Sequence, residues 1–473
     1  MSPLPDLKRI MLKAIERRLA GELTDYERSI LWHGAAWFFL ILCSYYIIRP
    51  IREQIGSSYQ EQLPLFFWMT FVVMLVAIPL YSMLVGRFHR QRLVPCIYLF
   101  FIGCLALFWA GMNWLDARFL LWIEGAFFVW ISVYGLFVVS FFWSVTGDML
   151  STAQGRRIFG IMAGGGTIGG LIGSQVAGRL VERIGVANLL LIPIGLLGVS
   201  LVVYASLERA FARLVEVKQQ DGDAGKATGG NPFAGFTAVF RSRYLMAICL
   251  FGMFMAACGT TVYFQQAEIV NAAYQDVEFD ASLIENADSL SSADLEAALA
   301  TLQAKASKAA STEYFANINF SVSMLTLLFQ FVIVGALMKR VGLGVALAIL
   351  PLAFLLGISA LALSPTLPVL IVVTVLGRSV EYGICNPARE VLFTAVDRED
   401  RYKAKSFIDT VVRRGGDSAV GGVYQHARET MGLAMSTLSW IMIPFAIAWI
   451  GLSLFIGLEN RKILAAKAPD DPK

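Results

Sequence analysis

The feature that most constrains this chain is the recurrence of apolar runs about 20 residues long, enough to cross the roughly 30 Å hydrocarbon core of a bilayer as a helix. Read in order, they predict twelve spans at 29–50, 64–86, 94–115, 118–147, 158–182, 185–206, 244–270, 314–338, 342–363, 366–395, 404–425 and 434–457. The fifth and eleventh are the least hydrophobic. Of the 473 residues, 57% are hydrophobic and 16% charged, against about 25% charged in soluble domains. The surplus apolar surface must face lipid, so an all-α membrane protein is expected. Its six cysteines (Cys43, Cys96, Cys104, Cys249, Cys258 and Cys385) lie in or beside apolar runs and form no CxxC or Cys/His cluster. They read as small core residues, with no metal site and no cofactor expected. The net charge of +4 calls for no nucleic acid. The first apolar run has no small-residue cleavage site behind it and reads as a membrane helix, not a signal peptide.

Charge placement orients the spans. Cytoplasmic loops carry excess Lys and Arg. The N-terminal segment 1–28 is basic, and alternate connections carry Arg87, Arg90 and Arg92, then Arg156 and Arg157, then Lys339 and Arg340, then Arg398, Arg401, Lys403 and Lys405. The intervening loops are poorer in cations, and 275–312 is acidic. Only Arg179 and Arg183 break the alternation. Both termini, 1–28 and 458–473, are therefore expected in the cytoplasm, with the chain in the bacterial inner membrane.

Residues 207–243 form the longest connection on that side, and QQDGDAGKATGGNP within it reads as a flexible linker. It separates a half at 29–206 from a half at 244–457. Six spans, a linker and six spans resemble the arrangement of major-facilitator transporters, whose sites lie near the midplane between halves. The halves also echo each other: GDMLSTAQGRRIFGIMAGGGTIGGLIG and VDREDRYKAKSFIDTVVRRGGDSAVGG each give an acid, a basic cluster and a helix with two glycine groups. In 275–312, Ser291 and Ser292 can cap a short amphipathic helix bearing Leu295, Leu299 and Leu302, either a lid or a surface decoration.

Charges at membrane depth are costly and by default mark a pathway or site. Arg49 and Arg52, three apart, share a helix face, and Pro50 between them should break the helix or open its end. Paired guanidiniums suit a multiply charged phosphate. In the tenth span Arg378 and Glu381 are spaced to pair, while Glu390, beside Arg389, is a lone carboxylate able to couple or gate. In the eleventh, Asp409, Arg413 and Asp417 form an acid–base–acid ladder, structural or functional, and Arg414 points elsewhere as a candidate ligand-facing cation. Glu268, with Gln265 and Gln266, mirrors Arg52 in the second half. Arg49, Arg52, Arg378, Arg413 and Arg414 are thus candidates for anion binding, and Glu268, Glu381, Glu390, Asp409 and Asp417 for coupling or gating. In the fifth span Gly164, Gly165, Gly166, Gly169 and Gly170 lack the Lys-Ser/Thr ending of a phosphate loop. They read as a close-packing face.

FFWSVTGDMLSTAQGRRIFGIMAGGGTIGGLIGS, EYGICNPAREVLFTAVDREDRYKAKSFIDTVVRRGGDS and YYIIRPIREQIG resemble the nucleotide (ATP/ADP) translocases of plastids and obligate intracellular bacteria. The resemblance covers nearly the whole chain, and 376–422 is its most specific part. It implies a twelve-helix facilitator-type fold and counter-exchange of nucleotides. Of four membrane charges associated with transport in that family, a first-helix Lys falls on Arg52 and a tenth-helix Glu on Glu390. A fourth-helix Glu falls near Ser132, and a twelfth-helix Lys falls in IAWIGLSLFIG, which has none. The expectation is a monomeric secondary transporter of a small anionic, phosphorylated substrate such as a nucleotide, working by alternating access. A proton-coupled porter for another solute and a non-transporting membrane partner are the alternatives. No nucleophile–base set or cofactor fingerprint suggests an enzyme.

Overall fold

Thr24 opens the first helix as a capping box. Its hydroxyl accepts from the Glu27 N–H at 3.2 Å, and the Glu27 carboxylate accepts from the Thr24 N–H at 2.9 Å, satisfying two orphan donors reciprocally. From that cap α1 runs over Asp25–Ser58. The expected break at Pro50 does not occur: the helix continues through it, as membrane helices can when neighbouring groups satisfy the freed backbone. Arg49, Arg52 and Glu53 therefore sit inside a helix rather than at its end.

The computed structural model describes residues 23–150, 152–215, 239–278, 291–396, 404–405 and 407–467. The middle of the expected linker, most of the N-terminal segment, the end of the tail and the basic residues Arg398, Arg401 and Lys403 lie outside them. After α1 come α2 (Leu63–Arg87), α3 (Arg90–Trp114), α4 (Ala117–Met149), α5 (Thr152–Asn188), α6 (Leu191–Val215) and α7 (Arg243–Tyr274). They are followed by α8 (Ser292–Leu328), α9 (Leu343–Leu363), α10 (Leu367–Val380), α11 (Arg413–Glu429) and α12 (Met435–Lys467). Among the described residues there is no strand.

Nine of these helices are long and apolar enough to cross a membrane, counting described residues only, which makes the chain a multi-pass membrane protein. The segments outside that set are α5, α8 and α11. Their polar composition follows from their neighbours: α5 packs on α1 and α8, and α11 on α7 and α2. Much of their surface meets protein rather than lipid, so hydropathy under-reads them. Buried apolar residues form two clusters, one drawn mainly from residues 30–207 and one from residues 239–456.

One boundary differs from expectation, and three π-turns interrupt the helices among the described residues. The amphipathic helix in 275–312 is not separate: capped by Ser291, it runs without interruption into α8, because SADLEAALATLQAKASKAAST contains no glycine or proline to stop it. α8 and α10 then pass through π-turns at Phe329–Ile333 and Glu381–Cys385, and α10 resumes over Asn386–Leu392. A third π-turn, Ile408–Val412, precedes α11. Such wide turns rotate the residues beyond them out of α-helical register, and they concentrate at functional sites. Two of them touch: Gln330 donates to the Tyr382 carbonyl at 3.3 Å, and a Cβ on Gly383 would lie 2.7 Å from that of Phe329.

The glycines of α5 do lie in a close contact. A Cβ on Gly165 would meet the Ala35 carbonyl oxygen at 2.6 Å, and Gly169 and Gly173 press likewise on the carbonyls of Phe39 and Cys43. Gly166 abuts the Phe38 ring and Gly170 the Tyr46 ring, whereas Gly164 has open space.

Candidate functional site

Where the two sets of helices face each other, a cavity of about 400 Å³ opens between α1, α2 and α4 on one side and α7, α9, α10 and α11 on the other. That volume is ordinary for a small-molecule site, about 300–1,000 Å³. Its charged lining consists of Arg49, Arg52 and Glu53 from α1, Arg378 and Glu381 from α10, and Arg413, Arg414 and Asp417 from α11. All five arginines singled out in the sequence meet here, with Glu381 and Asp417. Glu268, Glu390 and Asp409 do not line it.

The pairing inside the cavity crosses between helices rather than following sequence spacing. Arg378 Nη1 donates to Glu53 Oε1 at 2.8 Å, and Arg49 Nε lies 3.5 Å from the same oxygen. Asn319 of α8 donates to the other Glu53 oxygen at 2.8 Å. Glu53 is only 3% exposed, so this carboxylate is a buried junction joining α1, α8 and α10. Arg378 therefore does not pair with Glu381. Glu381, at the start of the π-turn, reaches instead to α11, where Arg413 donates to it at 2.6 Å.

The expected ladder in the eleventh helix is broken at Asp409, while Arg413 and Asp417 keep their four-residue spacing in α11. The π-turn Ile408–Val412 separates Asp409 from Arg413; Asp409 accepts instead from Arg389 at 2.9 Å, and Asp417 accepts from Thr260 at 3.0 Å.

Two cavity cations, Arg52 and Arg414, are left without an ion-paired carboxylate among the described residues. Arg52 donates to the Phe128 carbonyl at 3.2 Å and its guanidinium lies 3.9 Å from the Phe128 ring centroid. Arg414 makes no side-chain hydrogen bond or ion pair among the described residues. Arg52 comes from α1 and Arg414 from α11, on different sides of the cavity. Arg49 also donates to the Tyr382 hydroxyl at 3.1 Å.

The peripheral candidates are engaged elsewhere. Glu390, more than half exposed, pairs with Lys405 at 2.7 Å. Glu268 accepts from Arg428 at 2.6 Å and from the Tyr424 hydroxyl at 2.9 Å, tying the end of α7 to the end of α11. Ser132 of α4 lines the cavity.

Sequence reasoning missed Glu53, Asn319 and a clasp at one end of the bundle. Glu53 had a visible signal, its four-residue spacing from Arg49. Asn319 had none. The clasp is formed by the extension of α8: Gln303 and Ser307 donate to the Gln275 carbonyl beyond α7, and Lys308 bonds Glu124 of α4 at 2.6 Å. At the same end, Ser57 donates to the Ala267 carbonyl at 2.9 Å. Glu124 is 7% exposed and Lys308 23%, so the pair is largely shielded from water. A double-mutant cycle with Lys308→Ala and Glu124→Ala is expected to show a coupling of about 1–3 kcal/mol in thermal or denaturant stability. Additive losses would mean that the pair does not hold the two sides together.

No protein-family model matches the chain, and no curated protein matches it. Solved structures do. A mutant form of the nucleoside transporter NupG is 13% identical with a TM-score of 0.60, over 90% of this chain and 99% of that one. The POT family transporter PepTSo is 14% identical with a TM-score of 0.58, over 95% of this chain and 100% of that one. A bacterial homologue of the iron transporter ferroportin, in an inward-facing state, is 13% identical with a TM-score of 0.57, over 92% and 99%. At such identities the likeness shows the fold, which is all-α and major-facilitator-like.

Proposed function

We propose that this chain is a secondary transporter that binds a small phosphorylated anion between two helical halves and moves it by alternating access. The observation that carries the reading is the pair Arg52 and Arg414. They stand on opposite sides of one cavity without hydrogen-bonded carboxylate partners among the described residues, an arrangement of like charges that an anion between them would relieve. The resemblance to nucleotide translocases supports nucleotides or related phosphorylated anions as cargo and counter-exchange as the mode. The proteins of similar fold are themselves named as transporters.

In this reading Arg49, Arg378 and Arg413 complete the anion site, each held ready by an internal carboxylate. Glu381 and Asp417 gate by releasing or recapturing those cations. Glu268, Glu390 and Asp409 act at the helix ends, where their ion pairs must rearrange when the bundle opens. The basic loops support an inner-membrane protein with both termini in the cytoplasm.

Purified protein in liposomes preloaded with unlabelled nucleotide is expected to take up labelled nucleotide saturably. Losing one charge-assisted contact costs about 1.5–3 kcal/mol, so Arg52→Ala and Arg414→Ala should each weaken apparent affinity about ten- to 150-fold. Uptake indifferent to Arg52→Ala would reject the assignment. Uptake driven by a pH gradient without internal counter-substrate would replace exchange by proton coupling.

A further inference from the structure

We infer that the cavity is built for a phosphate monoester, an organic dianion with both charges on one headgroup, rather than for a di- or triphosphate. The inference rests on the anion-transport reading and narrows its substrate class. It begins with a charge inventory. Five guanidiniums (Arg49, Arg52, Arg378, Arg413 and Arg414) line the cavity with three carboxylates (Glu53, Glu381 and Asp417). Ionised, these leave two positive charges in excess.

A dianion neutralises that surplus. A trianion or tetraanion leaves negative charge uncompensated in a site walled by protein, where an unpaired charge is expensive. The surplus is also localised. Arg52 holds only a backbone carbonyl and a ring, and Arg414 holds no hydrogen-bonded or ion-pair partner among the described residues, though both line the cavity. Both line one cavity from opposite sides, so a single headgroup placed between them can meet both. That suits a single doubly charged headgroup better than a dicarboxylate with its charges at separate ends, and the planar guanidinium fork matches phosphate oxygens two at a time.

The rest of the lining receives the uncharged body of the ester. Tyr45, Phe67 and Tyr263 offer ring faces, and Thr374 offers a hydroxyl. Tyr263 Oη and Thr374 Oγ1 have no hydrogen-bond partner among the described residues, and buried polar groups left in that state are normally satisfied by something. Beyond the five arginines, no cation among the described residues lines the cavity to hold a second or third phosphate.

The test is a charge ladder on one organic body. Adenosine mono-, di- and triphosphate are titrated without divalent cation into the full-length protein in detergent, at about pH 8, where the monoester is fully dianionic. Binding is read by calorimetry or by the shift in melting temperature. The monophosphate is expected to bind tightest, with each further charge weakening binding about tenfold. Asp417→Asn keeps the acceptor for Thr260 while raising the surplus by one, and should move the optimum to the diphosphate; Glu381→Gln is a second variant with the same sign. Triphosphate binding tightest to the unmodified protein overturns the charge match, as does an order unchanged in both variants. Failure of all three to bind saturably overturns the anion reading itself, and this inference with it.

Discussion

Glu53→Ala is expected to lower stability by about 3–5 kcal/mol, the range for removing one partner of a buried ion pair. The reason is the number of groups that converge on this side chain. Arg378, Arg49 and Asn319 all point at a carboxylate that is 3% exposed, so alanine strands two guanidiniums and an amide around an empty volume. Glu53→Gln separates shape from charge. A glutamine oxygen can still accept from Arg378, and Asn319, whose Oδ1 has no hydrogen-bond partner among the described residues, can turn its amide to accept from the new NH2. The glutamine variant should therefore melt well above the alanine variant, while still leaving the cations short of one negative charge. Equal melting temperatures for the two would show that Glu53 only fills space. Because Glu53 joins α1 to α8 and α10, the same junction has to part if the halves rock, which makes this carboxylate both a stabiliser of the observed arrangement and a brake on leaving it.

Much of the candidate cavity's charged lining was legible in the sequence because charge in a membrane segment is rare. Arg49, Arg52, Arg378, Arg413 and Arg414 stood out against apolar neighbours, and all five line one cavity. What could not be read was who partners whom. Spacing rules assume regular α-helix, and they paired Arg378 with Glu381 and stacked Asp409, Arg413 and Asp417. Partners on other helices override the first pairing, Glu53 taking Arg378 and Arg413 taking Glu381, and the π-turn Ile408–Val412 shifts Asp409 out of register with Arg413. Nothing in residue type announces a π-turn; it arises from tertiary fit, as where Gly383 lets α10 press on Phe329. Pro50 misled in the opposite direction. A proline ends most helices in water, but α1 has neighbours that hold it straight through to Ser58. Helix boundaries near residue 310 failed for a simpler reason: hydropathy marks where lipid begins, and the helix itself starts at Ser292.

Gly169→Leu is expected to abolish the folded, monodisperse protein, a larger effect than any surface change in the same helix. Gly165, Gly169 and Gly173 recur every four residues along α5, and each faces a backbone carbonyl of α1, at Ala35, Phe39 and Cys43. Small residues at this spacing allow two helices to approach until their backbones touch. A side chain at Gly169 would meet main chain, which cannot rotate away as a flexible side chain can. Overpacking a core costs about 1–3 kcal/mol where side chains give way; here the helices must separate, and the neighbouring contacts at Gly165 and Gly173 are lost with them. Against a total stability on the order of 5–15 kcal/mol, that loss is enough to depopulate the native bundle. Gly164→Ala is the matched control. A Cβ there meets nothing within 4 Å, and alanine favours helix by about 1 kcal/mol, so this variant should melt at or slightly above the unmodified protein. Size-exclusion profile and melting temperature in detergent read both outcomes. Gly169→Leu behaving like Gly164→Ala would mean that α1 and α5 are not in backbone contact. Arg49 and Arg52 would then lose the tight helix pair that holds them at the cavity wall.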